Sequence, residues 1–298
     1  MRIFLQATFL VLLSGLFARA DSVNYRYDQA GRLAAVEYGN GSRIDYTYDA
    51  AGNLLRREVT SVGGFTTVSS ASFAAGKAVA PESIAAGFGQ GLATGKAFAS
   101  ETPLPTELLG TRVEVTDSQG TMRLAPLFFV SAGQINYLVP AGTAPGQAVV
   151  RTVSGAGGQI PGTLLIDRVA PGLYAANQQG SGVAAGFFLR LNPDGSRTQD
   201  LLFDPSTAAA IPVSVDASKG EVILILFGTG FRGFQSQVTA TVNGVSVPVQ
   251  AAVPQPQFVG LDQINIGPLP SSLANSGEVN IVLTADGKDA NTVTVAIQ

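Results

Sequence analysis

The sequence contains no histidine, no cysteine and no tryptophan. Without histidine, a Ser–His–Asp or Cys–His nucleophilic centre is excluded, as is a histidine-ligated zinc site. Without cysteine there is no thiolate metal site, no disulfide and no lipid attachment through sulfur. The folded units must therefore rest on packing alone, which domains of about 100 residues can sustain. The lack of tryptophan removes the best stacking platform for sugars. Charge is also sparse, at 13% of residues with a net of −3, and loss of Arg2 and Arg19 with a leader would make it more negative. No basic cluster is present to hold a phosphate backbone, so nucleic acid is not an expected partner.

What the chain does have is apolar content and turn punctuation. Hydrophobic residues make up 46% of 298, enough to bury real cores and too long a chain for one compact sandwich. The 35 glycines and 16 prolines recur at short intervals, as many short strands joined by tight turns require.

Met1–Ala20 reads as a cleavable signal peptide. Arg2 supplies the positive end, Phe9–Leu13 with Leu16 and Phe17 the apolar stretch, and Ala18-Arg19-Ala20 the small-x-small cleavage signal. Gln6, Ser14 and Gly15 interrupt the run, so cleavage before Asp21 is expected rather than retention as an anchor. No later segment is expected to span a bilayer; the densest run, Val222–Phe227, reads as a buried strand.

Residues 25–57 hold a repeat. Tyr25-Arg26-Tyr27-Asp28-Gln29-Ala30-Gly31-Arg32-Leu33 recurs as Tyr46-Thr47-Tyr48-Asp49-Ala50-Ala51-Gly52-Asn53-Leu54, a period of 21 residues. Each unit alternates, turns through Asp-x-x-Gly and alternates again, which predicts hairpins. The pattern resembles the YD (RHS-type) repeat family, whose many copies coil into a large β-shell. Two copies cannot close a shell, which leaves a remnant or short spacer hairpin, or a tyrosine-rich adhesive surface.

A longer duplication occupies the rest. Phe129-Val130-x-x-x-Gln134-Ile135-Asn136 and Phe258-Val259-x-x-x-Gln263-Ile264-Asn265 match at an offset of 129. Upstream, Ser83–Gly89 parallels Val222–Gly228 and Thr111–Val115 parallels Val238–Val242; downstream, Ala148–Val153 parallels Glu278–Leu283. This spacing predicts two antiparallel sandwiches. The strand running into Gly228-Thr229-Gly230-Phe231 resembles the IPT/TIG branch of immunoglobulin-like folds. Ala80–Ile84, Leu127–Asn136 and Val169–Tyr174 are similar to an uncharacterised C-terminal domain family of secreted Solibacter-type acidobacterial proteins. That resemblance implies export and assigns no activity.

Several motifs imitate sites. In the Gln-Ile-Asn strands, Ile135, Tyr137 and Val139 share one face, as do Ile264 and Ile266 in the second copy; Gln134 with Asn136, and Gln263 with Asn265, lie opposite. A recurring polar pair suits a structural hydrogen bond to a neighbouring loop. Gly228-x-Gly230-x-x-Gly233 mimics a dinucleotide loop, but a strand pattern follows where a helix is needed. Asn192-Pro193-Asp194-Gly195-Ser196 reads as a turn rather than a calcium loop. Asn40-Gly41-Ser42 is formally a glycosylation sequon at a turn. The carboxylate pairs Asp200/Asp204 and Asp286/Asp289 sit in turn-like contexts unsuited to acid–base work.

The expected organisation is a signal peptide at 1–20, YD-repeat hairpins at 21–60, a first sandwich at 61–165, a bridging hairpin or linker at 166–205 and a second sandwich at 206–298. No catalytic, metal or cofactor-binding residue is assigned, and no cofactor. The expected function is that of an exported, non-enzymatic interaction or adhesion module at the cell surface or beyond, with a protein or cell-envelope component as partner. A ligand-free structural spacer and a glycan-binding accessory module are the alternatives. An adhesin should expose an apolar patch of roughly several hundred Å²; a spacer should not.

Overall fold

The computed structural model describes residues 23–38, 43–60 and 64–298. The leader and the Asn40-Gly41-Ser42 sequon lie outside the described residues. The protein is all-β and built from antiparallel sheets.

The two tyrosine units form one four-stranded meander of β1 (Val23–Tyr27), β2 (Leu33–Tyr38), β3 (Arg43–Tyr48) and β4 (Leu54–Thr60). Its turns explain the repeated motif. Asp28 accepts the Ala30 and Arg32 amides at 2.9 Å and Arg32 Nε at 2.8 Å. Asp49 accepts the Asn53 amide at 2.7 Å and Asn53 Nδ2 at 2.9 Å. These bonds hold both carboxyls below the usual carboxylate range. Gly31 and Gly52 take the positive φ, +75° and +92°, that closes each turn. The units also hold each other: Arg32 donates to the Asp49 carbonyl at 3.1 Å and lies over the Tyr48 ring, whose hydroxyl donates to the Leu33 carbonyl at 3.0 Å.

Residues 64–166 form two facing sheets. Their strands are β5 (Thr66–Ser69), β6 (Ile84–Phe88), β7 (Ala97–Phe98), β8 (Arg112–Thr116), β9 (Met122–Leu124), β10 (Leu127–Val130), β11 (Gln134–Leu138), β12 (Gly146–Val153) and β13 (Gln159–Ile166). One sheet runs β5-β6-β11-β10-β7 and the other β13-β12-β8-β9. Inward residues such as Phe65, Ile135, Tyr137, Val150 and Leu164 share one core. The Tyr137 phenol is buried, which pushes its pKa up, and bonds Thr67 Oγ1 at 2.9 Å. Phe65 lies so close to Gly87 that a Cβ there would sit 2.0 Å from its ring.

The remaining residues repeat this plan with β14 (Gly172–Leu173), β15 (Gly186–Leu191), β16 (Arg197–Leu201), β17 (Glu221–Thr229), β18 (Val238–Val242), β19 (Val245–Val247), β20 (Val249–Pro254), β21 (Asp262–Ile266), β22 (Gly277–Ala285), β23 (Lys288–Asp289) and β24 (Val293–Ile297). The sheets are β16-β15-β17-β21-β20 and β19-β18-β22-β23, with β14 on β17 and β24 on β22. The duplication is visible in the pairing: β6-β11-β10 matches β17-β21-β20, and β8-β12 matches β18-β22. Ile135 faces Gly87 across its ladder and Ile264 faces Leu226 at the equivalent place.

Two details differ from the sequence reading. Phe258 and Val259, matched in sequence to Phe129 and Val130 of β10, occupy a turn between β20 and β21, and Ala251 takes the place opposite Asn265 that Phe129 takes opposite Asn136. A longer β20–β21 connection displaces the sequence match. In the bridging segment, the expected hairpin is present as β15–β16, but β15 is also hydrogen-bonded along β17. Val169, Leu173, Ala175, Ala184 and Leu202 enter the same core as Ile264 and Ile281. Asn291 clamps this segment, accepting the Leu173 amide and donating to the Leu173 and Gly180 carbonyls, all at 2.8 Å. The parallel bridge Val183–Thr294 ties it to β24, and Val213–Ile297 does the same for the residues that follow it.

The two sandwiches meet through buried polar contacts. Thr229 Oγ1, fully buried, accepts the Ile84 amide at 2.9 Å and donates to the Gly260 carbonyl at 2.7 Å. The Ser70 and Tyr174 hydroxyls bond at 2.6 Å. Gly260 admits Ile84 and Leu138, whose side chains a Cβ would meet at 2.5 and 2.7 Å. Arg232 reaches Asp262 at 2.7 Å and Glu82 of the first sandwich at 3.8 Å.

Candidate functional site

The sequence motifs that imitate sites are placed in the framework. Gln134 Nε2 donates to Asn136 Oδ1 at 2.8 Å, and Gln263 Nε2 to Asn265 Oδ1 at 3.0 Å. The polar pair thus bonds along its own strand, not to a neighbouring loop. Residues two apart share a strand face, close enough for the long Gln side chain to reach back. The glycines at 228, 230 and 233 form a track for the backbone of residues 168–172. A Cβ at each would lie 2.6 Å from the Gly172 carbonyl oxygen, 2.1 Å from that of Ala170 and 1.9 Å from that of Arg168, respectively.

The carboxylates act as turn acceptors. Asp194 accepts the Ser196 amide and hydroxyl, and Asp204 does the same for Ser206. Asp286 accepts the Ser236 amide and hydroxyl and the Gln235 amide, which brings its pKa down to about 2. Asp289 accepts from Thr284 Oγ1 at 2.6 Å, and Asp200 accepts the Leu201 amide. Only Asp262, among the described carboxylates with a resolved shift, is pushed upward; burial is the cause, opposed by Arg232 and the Phe231 amide. It belongs to the junction between sandwiches.

Among the described residues, a surface with room for a ligand lies elsewhere, on the outer face and edge of the β13-β12-β8-β9 sheet. Strand alternation puts Ala148, Val150 and Leu164 in the core, so Gln147, Val149, Arg151, Thr163 and Leu165 face outward. Cross-strand pairing sets them in rows: Thr163, Val149, Thr116, Met122 in one; Pro161, Arg151, Glu114, Leu124 in the next. Met122, Leu124, Val149 and Leu165 are 54%, 40%, 53% and 47% exposed. Between them Glu114 is nearly buried and takes ion pairs from Arg151 and Arg112, which hold its carboxyl below the usual range.

A groove of about 790 Å³ runs along the edge, walled by Thr66, Thr67 and Lys77 on one side and Gln147, Val149, Thr163 and Leu165 on the other. It exists because β5 leaves β13 abruptly. Phe65 donates its amide to the Pro161 carbonyl at 2.9 Å, and its own carbonyl sits where a Gly162 Cβ would be, 1.9 Å away. The chain then turns off to pair β5 with β6. It regains β13 only at Val79, which donates to the Leu165 carbonyl at 3.0 Å. Reasoning from sequence alone missed this groove, although Pro161-Gly162 inside a strand pattern marks an edge and a close backbone approach.

No helix among the described residues is long and apolar enough to cross a membrane. An RHS repeat family model matches residues 25–66, the meander and its exit. No curated protein matches the sequence. Among solved structures, SGBP-B of the Bacteroides ovatus mixed-linkage glucan utilization locus, in complex with mixed-linkage heptasaccharide, is 10% identical with a TM-score of 0.28. The alignment covers 89% of this chain and 54% of that one, so the chain spans about half the length of that protein.

Proposed function

We propose that the protein is an exported, non-enzymatic interaction module that binds a protein or cell-envelope component at the cell surface or beyond. Its sandwiches are of the IPT/TIG immunoglobulin-like kind, a reading supported by the duplicated pairing order, and the YD meander is an appended spacer. The carrying observation is the outer face of β13-β12-β8-β9, where Val149 and Leu165 stay exposed beside a groove and Met122 and Leu124 stay exposed on the far side of Thr116 and Glu114. Exposed apolar side chains grouped on one sheet face among polar ones mark interaction surfaces, and a spacer needs none. The turn roles of the surface carboxylates and the lack of histidine and cysteine favour binding over catalysis.

The test is a binding screen of the mature chain against cell-envelope proteins and glycans, repeated with Val149→Arg and Leu165→Arg together. Loss of about tenfold or more in affinity for whatever binds supports the reading. Undiminished binding by the double variant, or no binding to any component, overturns it, the latter in favour of a spacer.

A further inference from the structure

We propose that the open stretch of the β13 edge at Thr163 is a slot for strand addition, taking an extended polypeptide segment of about three residues as ligand. The proposal rests on the reading of this face as the interaction surface and names its partner class.

The backbone directions follow from the bonds at either end. The carbonyls of Pro161 and Leu165 are given to Phe65 and Val79, away from β12. In an antiparallel ladder alternate residues point their N–H and C=O to the same side. Thr163, midway between them, therefore turns both of its main-chain polar groups toward the groove. Pro161 fits the same rule, since a proline is tolerated where the N–H faces off the sheet. Between the two anchors β13 has no ladder partner among the described residues. The N–H and C=O of Thr163 and the N–H of Leu165 thus form an unpaired donor–acceptor row.

The row is bounded at both ends, which distinguishes it from an ordinary frayed edge. From residue 161 to residue 165 a strand spans about 13 Å, so the slot admits a short extended piece and excludes a long sheet. Gly162 cannot carry a side chain without striking the Phe65 carbonyl, so the Phe65 anchor is built in. An added strand would alternate its side chains, with one set lying beside Thr163 and Leu165 on the outer face and the other turned toward Lys77. Lys77 is exposed and has no ion-pair partner among the described residues, so an acidic ligand side chain is favoured there. A glycan fits less well: among the described lining residues the only aromatic ring is that of Phe65, which is buried.

The experiment uses the mature chain, isotopically labelled, with acetyl-Thr-Val-Asp-Val-Thr-amide as probe and its backbone N-methylated analogue as control. The expected result is a shift of the Thr163 and Leu165 amide resonances, with Thr163 hydrogen exchange slowed about tenfold or more at saturating peptide. Thr163→Pro removes the donor without touching a β12 bond and should lower peptide affinity about tenfold. Lys77→Glu, which leaves the backbone unaltered, should weaken binding about fivefold. Equal binding of the N-methylated peptide, or no shift at either amide up to about millimolar peptide, overturns strand addition. A wild-type dimer that Thr163→Pro dissociates would put a second copy in the slot and also overturn the peptide partner. If an envelope component binds through Val149 and Leu165 while Thr163→Pro changes nothing, the slot fails and the surface reading stands. If the peptide engages Thr163 but no envelope component binds, the surface reading fails.

Discussion

Thr229→Val tests whether the two sandwiches are joined by hydrogen bonding rather than by mere proximity. Valine keeps the shape of threonine but replaces the hydroxyl with a methyl. The hydroxyl is fully buried and serves both sides, accepting from the Ile84 amide and donating to the Gly260 carbonyl. The substitution orphans one donor and one acceptor in a site with no exposed surface. Each orphaned buried group costs about 1–3 kcal/mol, so the variant should lose about 2–4 kcal/mol, partly offset by the added methyl. Thr229→Ser keeps both bonds and loses one methyl, about 1 kcal/mol. Urea unfolding followed by far-ultraviolet circular dichroism and tyrosine fluorescence should show a midpoint lower by about 1 M for the valine variant. The Ile84 amide should exchange faster in that variant and nearly as in the parent for the serine variant. A valine variant within about 0.2 M of the parent, with Ile84 still protected, would refute the reasoning.

Other predictions concern register and acid stability. Ile264→Asp places a charge at a fully buried core position of β21, the strand between β17 and β20; it should cost at least about 3 kcal/mol and leave the second sandwich, residues 169–298, unfolded or insoluble. A soluble variant with native amide dispersion would show that the inward register is wrong. Asp117 is held to about 2 by bonds from the Ala144 and Thr121 amides and from Arg123, and Asp286 to about 2 by Ser236 and Gln235. Both folded values lie below the unfolded 3.8. Their contribution is therefore complete above pH 3.8 and lost as pH falls toward about 2. Asp117→Asn with Asp286→Asn should flatten the acid limb of urea midpoint against pH, and an unchanged slope counts against these bonds.

Local patterning made much of the fold legible. Alternation in Gln134–Leu138 and Asp262–Ile266 placed Ile135 and Ile264 inward, and both are fully buried. The Asp-x-x-Gly turns were readable because their partners lie within four residues. Non-local features were not. The glycines at 228, 230 and 233 make room for residues about 60 positions earlier, which no local window contains. The attachment of β15 to β17 depends on strand order, and hairpin signals say nothing about the next neighbour. The groove escaped notice for the same reason: it is a gap between Phe65 and Val79, defined by where two distant segments touch β13.

The Asn291 clamp bears on the order in which the chain can assemble. Asn291 completes the hydrogen bonding of Leu173, 118 positions earlier, and residues 294 and 297 bridge to Val183 and Val213. The first sandwich, by contrast, has all of its strands in place once residue 166 is present. As the chain emerges with its N-terminal side first, one half can close while the other waits for its final segment. During that interval the apolar strand β17 has β15 and β21 beside it but lacks the cover that β24 gives the opposing sheet. Long-range closure is slow, so this stretch is where a chaperone, or misassembly with another copy, has its longest opportunity.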